Sequence, residues 1–123
     1  MAIAYKFNHN GDPLEVETSG FDESLEEVME YGHRIIMEAI QSQCKQVLCN
    51  ELHLEYRLGT IDLYQSGKFI AENAPHVGKV AIVTTEEQLP DVKFWENVVN
   101  NRGLRVKVFS SLHESKDWLT TKP

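Results

Sequence analysis

The chain has 123 residues, and 12 Lys+Arg against 19 Asp+Glu leave a net charge of −7. Apolar residues at 41% and charged residues at 25% are the proportions of a folded globule rather than a disordered chain, and the length suits a single domain spanning residues 1–123. An acidic balance with no basic stripe excludes the phosphate neutralisation on which nucleic-acid binding depends.

Met1–Phe7 lacks a basic leader followed by an apolar stretch, so no signal peptide is expected there. No run approaches the roughly 18 apolar residues of a spanning helix, so no membrane insertion is expected either. Ala2–Phe7 and Leu14–Thr18 read as strands joined by Asn8-His9-Asn10-Gly11-Asp12-Pro13. Asn-Gly supplies positive φ cheaply there and Pro ends pairing, which makes a hairpin. Ser24-Leu-Glu-Glu27 is a capping box. Behind it Leu25, Val28, Met29, Gly32, Ile35, Ile36, Ala39 and Ile40 keep the 3.6-residue period of a long amphipathic helix. Gly32 falls on the apolar stripe, where it is expected to let the helix approach a sheet. Gln46–Glu51 reads as a strand, Leu52–Leu58 as a polar connection, and Thr60 as the cap of a helix that Pro75 ends. Val80–Val83 is an unbroken apolar run, as in strands buried on both faces.

Pro90-Asp91 opens a further helix, and Asn101-Arg102-Gly103 closes it with glycine at the left-handed position. Leu104–Phe109 alternates apolar side chains with Arg105 and Lys107, the decoration of an edge strand. Ser111-Leu-His-Glu114 caps a last short helix that docks Trp118 and Leu119. The order is ββαβαβαβα: one α/β domain with a mixed sheet, an N-terminal hairpin followed by parallel strands, and four helices. Right-handed crossovers align the last three strands in parallel.

Reactive constellations are missing. The sequence has no G-x-x-x-x-G-K-[ST], no G-x-G-x-x-G and no G-x-S-x-G, and Ser66 in Gln65-Ser66-Gly67 falls inside a helix rather than on a nucleophile elbow. A phosphoacceptor receiver would use Thr84, Thr85 and Lys107, but the strand ending Cys49-Asn50-Glu51 offers no aspartate and the first strand brings no acidic pair. His9, His33, His53, His76 and His113 form no H-x-x-x-H pair and read as solvated side chains. His53 stands out because it follows a strand's C-terminal end, where ligands of open α/β sheets gather. Cys44 and Cys49 read as free thiols of a reducing, cytoplasmic compartment. No metal, cofactor or catalytic residue is expected. The richest segment is Glu51–Asp62, with Glu51, His53, Glu55, Tyr56, Arg57, Thr60 and Asp62 forming a candidate partner-binding surface. Exposed amides at the helix start suit an anion or phosphoryl group.

The hairpin, the long helix, the Val47-Leu48 strand, the helix from Thr60, the strand Val80–Val83 and the ending Asn101-Arg102-Gly103…Val108-Phe109…Trp118-Leu119 together resemble the STAS domain of anti-sigma factor antagonists and sulfate-transporter tails, and more closely its stand-alone bacterial relatives of unassigned role. The resemblance implies a STAS-like fold that acts by binding a protein partner, with phosphorylation at the second helix as the switch. Leu58-Gly59-Thr60-Ile61 stands where the family carries Asp-Ser-Ser-Gly, so Thr60 alone could inherit the phosphoacceptor role. The alternative is a small-molecule or lipid binder with a cavity between helices and sheet, against which close packing around Gly32 and Gly67 is the simpler expectation. Self-association through the last strand, giving a homodimer, is a third expectation.

Overall fold

A computed structural model describes residues 2–75 and 77–121. The reading of His76 as a solvated loop residue lies outside them. Five strands, β1 (Ile3–Asn8), β2 (Leu14–Phe21), β3 (Gln46–Glu55), β4 (Lys79–Val83) and β5 (Arg105–Phe109), form one sheet in the order β1-β2-β3-β4-β5. The β1/β2 hairpin is antiparallel, and β2 through β5 run parallel. The expected element order holds throughout, and β5 is an edge strand.

Four helices connect and close the sheet: α1 (Leu25–Gln41), α2 (Thr60–Asn73), α3 (Leu89–Asn100) and α4 (Leu112–Thr120). Each of the three crossovers advances by one strand in the same direction. A right-handed connection therefore places α1, α2 and α3 on one face. Among the described residues, α4 alone packs on the other face, over β3–β5. Two cores result. The larger joins Leu14, Val16, Val47, Ile36, Ile82 and Val99 beneath the three helices, and the smaller joins Leu48, Ala81, Val83, Phe109 and Leu119 under α4. The outer face of the β1/β2 hairpin stays open to solvent, where Lys6 and Glu17 pair at 3.2 Å.

The serine half of each capping box forms, without the reciprocal bond from the glutamate to the serine amide. Ser24 Oγ accepts the amide of Glu27 at 3.2 Å, and Ser111 Oγ accepts that of Glu114 at 3.2 Å. The carboxylate of Glu27 instead accepts the amides of Ala2 and Ile3 at 2.8 and 3.1 Å and ties β1 to α1. Several local readings are corrected. The segment 52–55, expected as loop, continues β3, because pairing with Ser19–Phe21 of an unexpectedly long β2 extends it. Gly59, not Thr60, is the N-cap of α2, and no side chain caps that end. Gly32 faces α2 rather than the sheet: a Cβ there would lie 2.0 Å from Ile70 Cδ1. Ile40, placed on the buried stripe, is 46% exposed.

Candidate functional site

Strand β3 carries one residue more than its partner where the two run side by side. Glu17 pairs with Asn50 and Ser19 with His53, so Thr18 alone stands opposite Glu51 and Leu52. Such a bulge shifts the alternation of side chains by one. Val47, Cys49 and Glu51 face the helices before it, and Leu54 and Tyr56 face them after it. Glu51 and Tyr56, which strict alternation would put on opposite faces, therefore meet.

Beneath α1, α2 and α3 the packing leaves a cavity of about 120 Å³. Its walls are apolar, including Val47, Ile36, Ile70, Ile82, Val92 and Leu104. A volume near 150 Å³ with similar walls holds a benzene-sized molecule. Close packing, the expectation from the small residues of the helices, does not extend to this region. Gly32 belongs to the lining, and the space beside its Cα is taken by Ile70 Cδ1.

The polar end of the cavity lies at the C-terminal ends of the strands. Tyr31 from α1 donates its hydroxyl proton to Glu51 Oε2 at 2.7 Å, and Tyr56 donates to Oε1. Each tyrosine has spent its single proton, so the hydroxyls behind them must donate. Thr18 Oγ1 lies 2.7 Å from the Tyr31 oxygen, and Thr84 bonds the Tyr56 oxygen. Gln88 Nε2 in turn donates to Thr84 Oγ1 at 3.1 Å and to the Leu54 carbonyl at 2.8 Å, while its Oε1 accepts the Tyr56 amide at 3.0 Å. Two chains of hydrogen bonds thus converge on one buried carboxyl.

Burial pushes the Glu51 carboxyl above its ordinary value, and the neighbouring charge of Asp22 adds to that, while the two tyrosyl hydroxyls pull it back. Burial, followed by the charge of Glu51, lifts both tyrosines far above the usual phenol range, so they remain donors at any physiological pH. Asp22 is buried too. Its carboxylate accepts the backbone amides of Arg57 and Leu58, which fixes the turn out of β3. Asp91, exposed in the first turn of α3, stands at the cavity's rim.

The seven residues expected to form one surface separate. Glu51 and Tyr56 point inward into the hydrogen-bond network. His53 and Glu55 are exposed, and Arg57 reaches across to Glu55 at 3.0 Å and lies 3.7 Å over the Phe21 ring. Thr60 is exposed in the first turn of α2, and Asp62 is half-buried beside it. Sequence reasoning missed Thr18, Asp22, Tyr31 and Gln88, and considered Thr84 only as the hydroxyl of a phosphoacceptor receiver. Tyr31 carried a signal, lying three residues after Val28 and four before Ile35 on the apolar stripe. The described residues contain no cluster of His, Cys, Asp and Glu arranged for a metal, and Cys44 and Cys49 are buried free thiols.

No protein-family model matches the sequence, and no curated protein matches it. Among solved structures, the chain is similar to an uncharacterised protein of the DUF3478 family with a SpoIIAA-like fold from Shewanella loihica PV-4. The two share 18% identity over 96% of this chain and 94% of that one, with a TM-score of 0.53. The fold is SpoIIAA-like. The STAS-like architecture expected from the chain's motifs is therefore the observed one. Within this SpoIIAA-like fold, no helix among the described residues is long and apolar enough to cross a membrane.

Proposed function

We propose that this domain is a non-enzymatic cytoplasmic binder that holds a small, elongated apolar ligand in the cavity between α1–α3 and the sheet. The observation that carries this reading is the cavity itself, about 120 Å³ with apolar walls and a hydrogen-bonded carboxyl at one end. Apolar pockets with a few convergent polar groups are the usual form of small-molecule sites, and the polar end of this one lies toward the carboxyl ends of the strands, the usual place in open α/β sheets. Xenon titration followed by methyl NMR tests it: saturable shifts at Val47, Ile70 and Ile82, abolished by the cavity-filling Ala74→Leu, are expected. Unsaturable shifts, or shifts that persist in a folded Ala74→Leu protein, would remove the cavity as a site.

A second reading is a protein-interaction surface at the start of α2, switched by phosphorylation of Thr60. Ile61 is 75% exposed and Tyr64, one turn on, is 42% exposed, so apolar area is presented beside Thr60. His53, Glu55 and Arg57 lie on the segment leading to this helix, and Asp62 shares its first turn. A phosphoryl group on Thr60 would add negative charge next to Asp62 and repel an acidic partner. The test compares captured partners of wild type and Thr60→Glu, and an unchanged set with a folded variant counts against the switch.

A further inference from the structure

Resting on the reading that the cavity holds an apolar ligand, we infer that this ligand ends in a protonated primary amine and that Glu51 receives it. The lining has a one-sided chemistry. Its ionisable acids are Asp22, Glu51 and Asp91, and no Lys, Arg or His is among the described residues that form it. Asp22 accepts three backbone amides, those of Arg57, Leu58 and its own, and already has the Arg57 charge nearby, while Asp91 is exposed at the rim. Glu51 is therefore the head-group contact that the enclosed part provides.

The direction of the hydrogen bonds decides what head group fits. Tyr31 and Tyr56 both donate their hydroxyl hydrogen bonds to Glu51. A carboxylate offers about four lone-pair sites, and two tyrosines fill only part of that capacity. A ligand carboxylate would meet acceptors and like charge. A ketone or ester would find both tyrosyl donors already engaged. Ser66, the other hydroxyl in the lining, donates to the Leu63 carbonyl at 2.9 Å and accepts from Trp95 Nε1 at 3.1 Å, so it is engaged as well. Only a donor head group completes Glu51. Of the donors, an ammonium also neutralises a buried charge that has no cationic partner among the described residues, which a hydroxyl cannot do. The acidic rim at Asp91 and the net charge of −7 favour entry of a cation. The body of the ligand is a chain: from Val47 to Glu51 the cavity floor follows four residues of strand, about 13 Å.

The inference sets a pH dependence. The titratable groups that act on Glu51 are Tyr31 on α1, Cys49 on β3, and Tyr56 and Asp22 at the adjoining turns, with Asp91 elsewhere in the cavity lining. Burial keeps Tyr31, Tyr56 and Cys49 protonated, while it raises the Asp22 and Glu51 carboxyls above their ordinary values. Protonating Glu51 removes the charge the ammonium needs, so amine binding weakens as pH falls, while binding of an uncharged chain does not.

Calorimetry and ligand-observed NMR on the intact chain with n-hexylamine, n-hexanol, n-hexane and hexanoate test this. Hexylamine is expected to bind about tenfold more tightly than hexanol, the scale of a charge-assisted over a neutral hydrogen bond. Hexane should bind more weakly still, and hexanoate not at all. The amine preference should fade on acidification, and Glu51→Gln should lose it while still taking up hexane. Hexane or hexanol binding as well as hexylamine, or hexanoate binding at all, overturns the amine inference and leaves the apolar site standing. Failure of all four to bind overturns both. The wild-type series and its pH profile decide the matter even where Glu51→Gln does not fold.

Discussion

Glu51 shows how one residue joins stability to binding. Its carboxyl titrates above the ordinary 4.5 because burial penalises the charge. The folded chain therefore holds a proton that the unfolded chain has released, and stability falls as pH rises from about 4.5 through the raised value. Urea denaturation across that window should show this slope in wild type, with Asp22 contributing in the same direction from its lower starting value, and a shallower slope in Glu51→Gln. An unchanged slope would mean that Glu51 is not desolvated. Gly32 offers a second measurement. An added Cβ would lie 2.0 Å from Ile70 Cδ1, the mobile tip of a side chain that itself lines the cavity. In Gly32→Ala that tip is expected to swing into the void. Because alanine gains about 1 kcal/mol of helix propensity, stability in urea should stay within about 1 kcal/mol of wild type while hexylamine binding weakens several-fold. A large loss of stability would show that Ile70 has nowhere to go.

At the level of elements, the sequence displays the helices and strands plainly but not the way β3 is aimed. Capping boxes at Ser24 and Ser111, the apolar run Val80–Val83 and the Arg-Gly stop at Gly103 each name a local structure, because the physics behind them acts over a few residues. The bulge opposite Thr18 arises from pairing between strands distant in sequence, and no local pattern announces it. That is why Glu51, His53, Glu55 and Tyr56 read as one surface and are in fact divided between a buried network and the solvent. The roles of Asp22, Thr84 and Gln88 were hidden for the same reason, since each acts on residues at least 28 positions away or through one that does. The docking of α4 is likewise tertiary: Lys79 Nζ donates to the carbonyls of Trp118 and Thr121 at 3.0 and 2.7 Å, and Gln46 Nε2 to that of Leu119 at 2.8 Å. Lys79→Met should speed amide exchange in α4 and leave α1 unchanged. Unchanged exchange in α4 would show that its apolar contacts alone hold it, and equal acceleration in both helices would show that α4 opens only with the whole domain.

For the molecule as a whole, three successive crossovers of one hand decide where function can sit. They gather α1, α2 and α3 over one face and leave α4 to the other, so the cavity and the second core share only the sheet between them. The sheet also ends in two edges. On β5 the exposed Arg105 and Lys107 are charges of the kind that discourage an edge from pairing with another chain. Replacing both with valine should produce concentration-dependent association in sedimentation velocity, whereas a variant that stays monomeric at high concentration would show that the edge is guarded by something else. The two-sided arrangement has a practical corollary. The chain's 2 tryptophans fall on opposite sides of the sheet, Trp95 in the cavity wall and Trp118 against Phe109 at 5.9 Å between ring centres. With Trp118 changed to phenylalanine, the remaining indole becomes a built-in optical gauge of cavity occupancy, and the reciprocal change makes a control lamp that reports folding but stays blind to the guest.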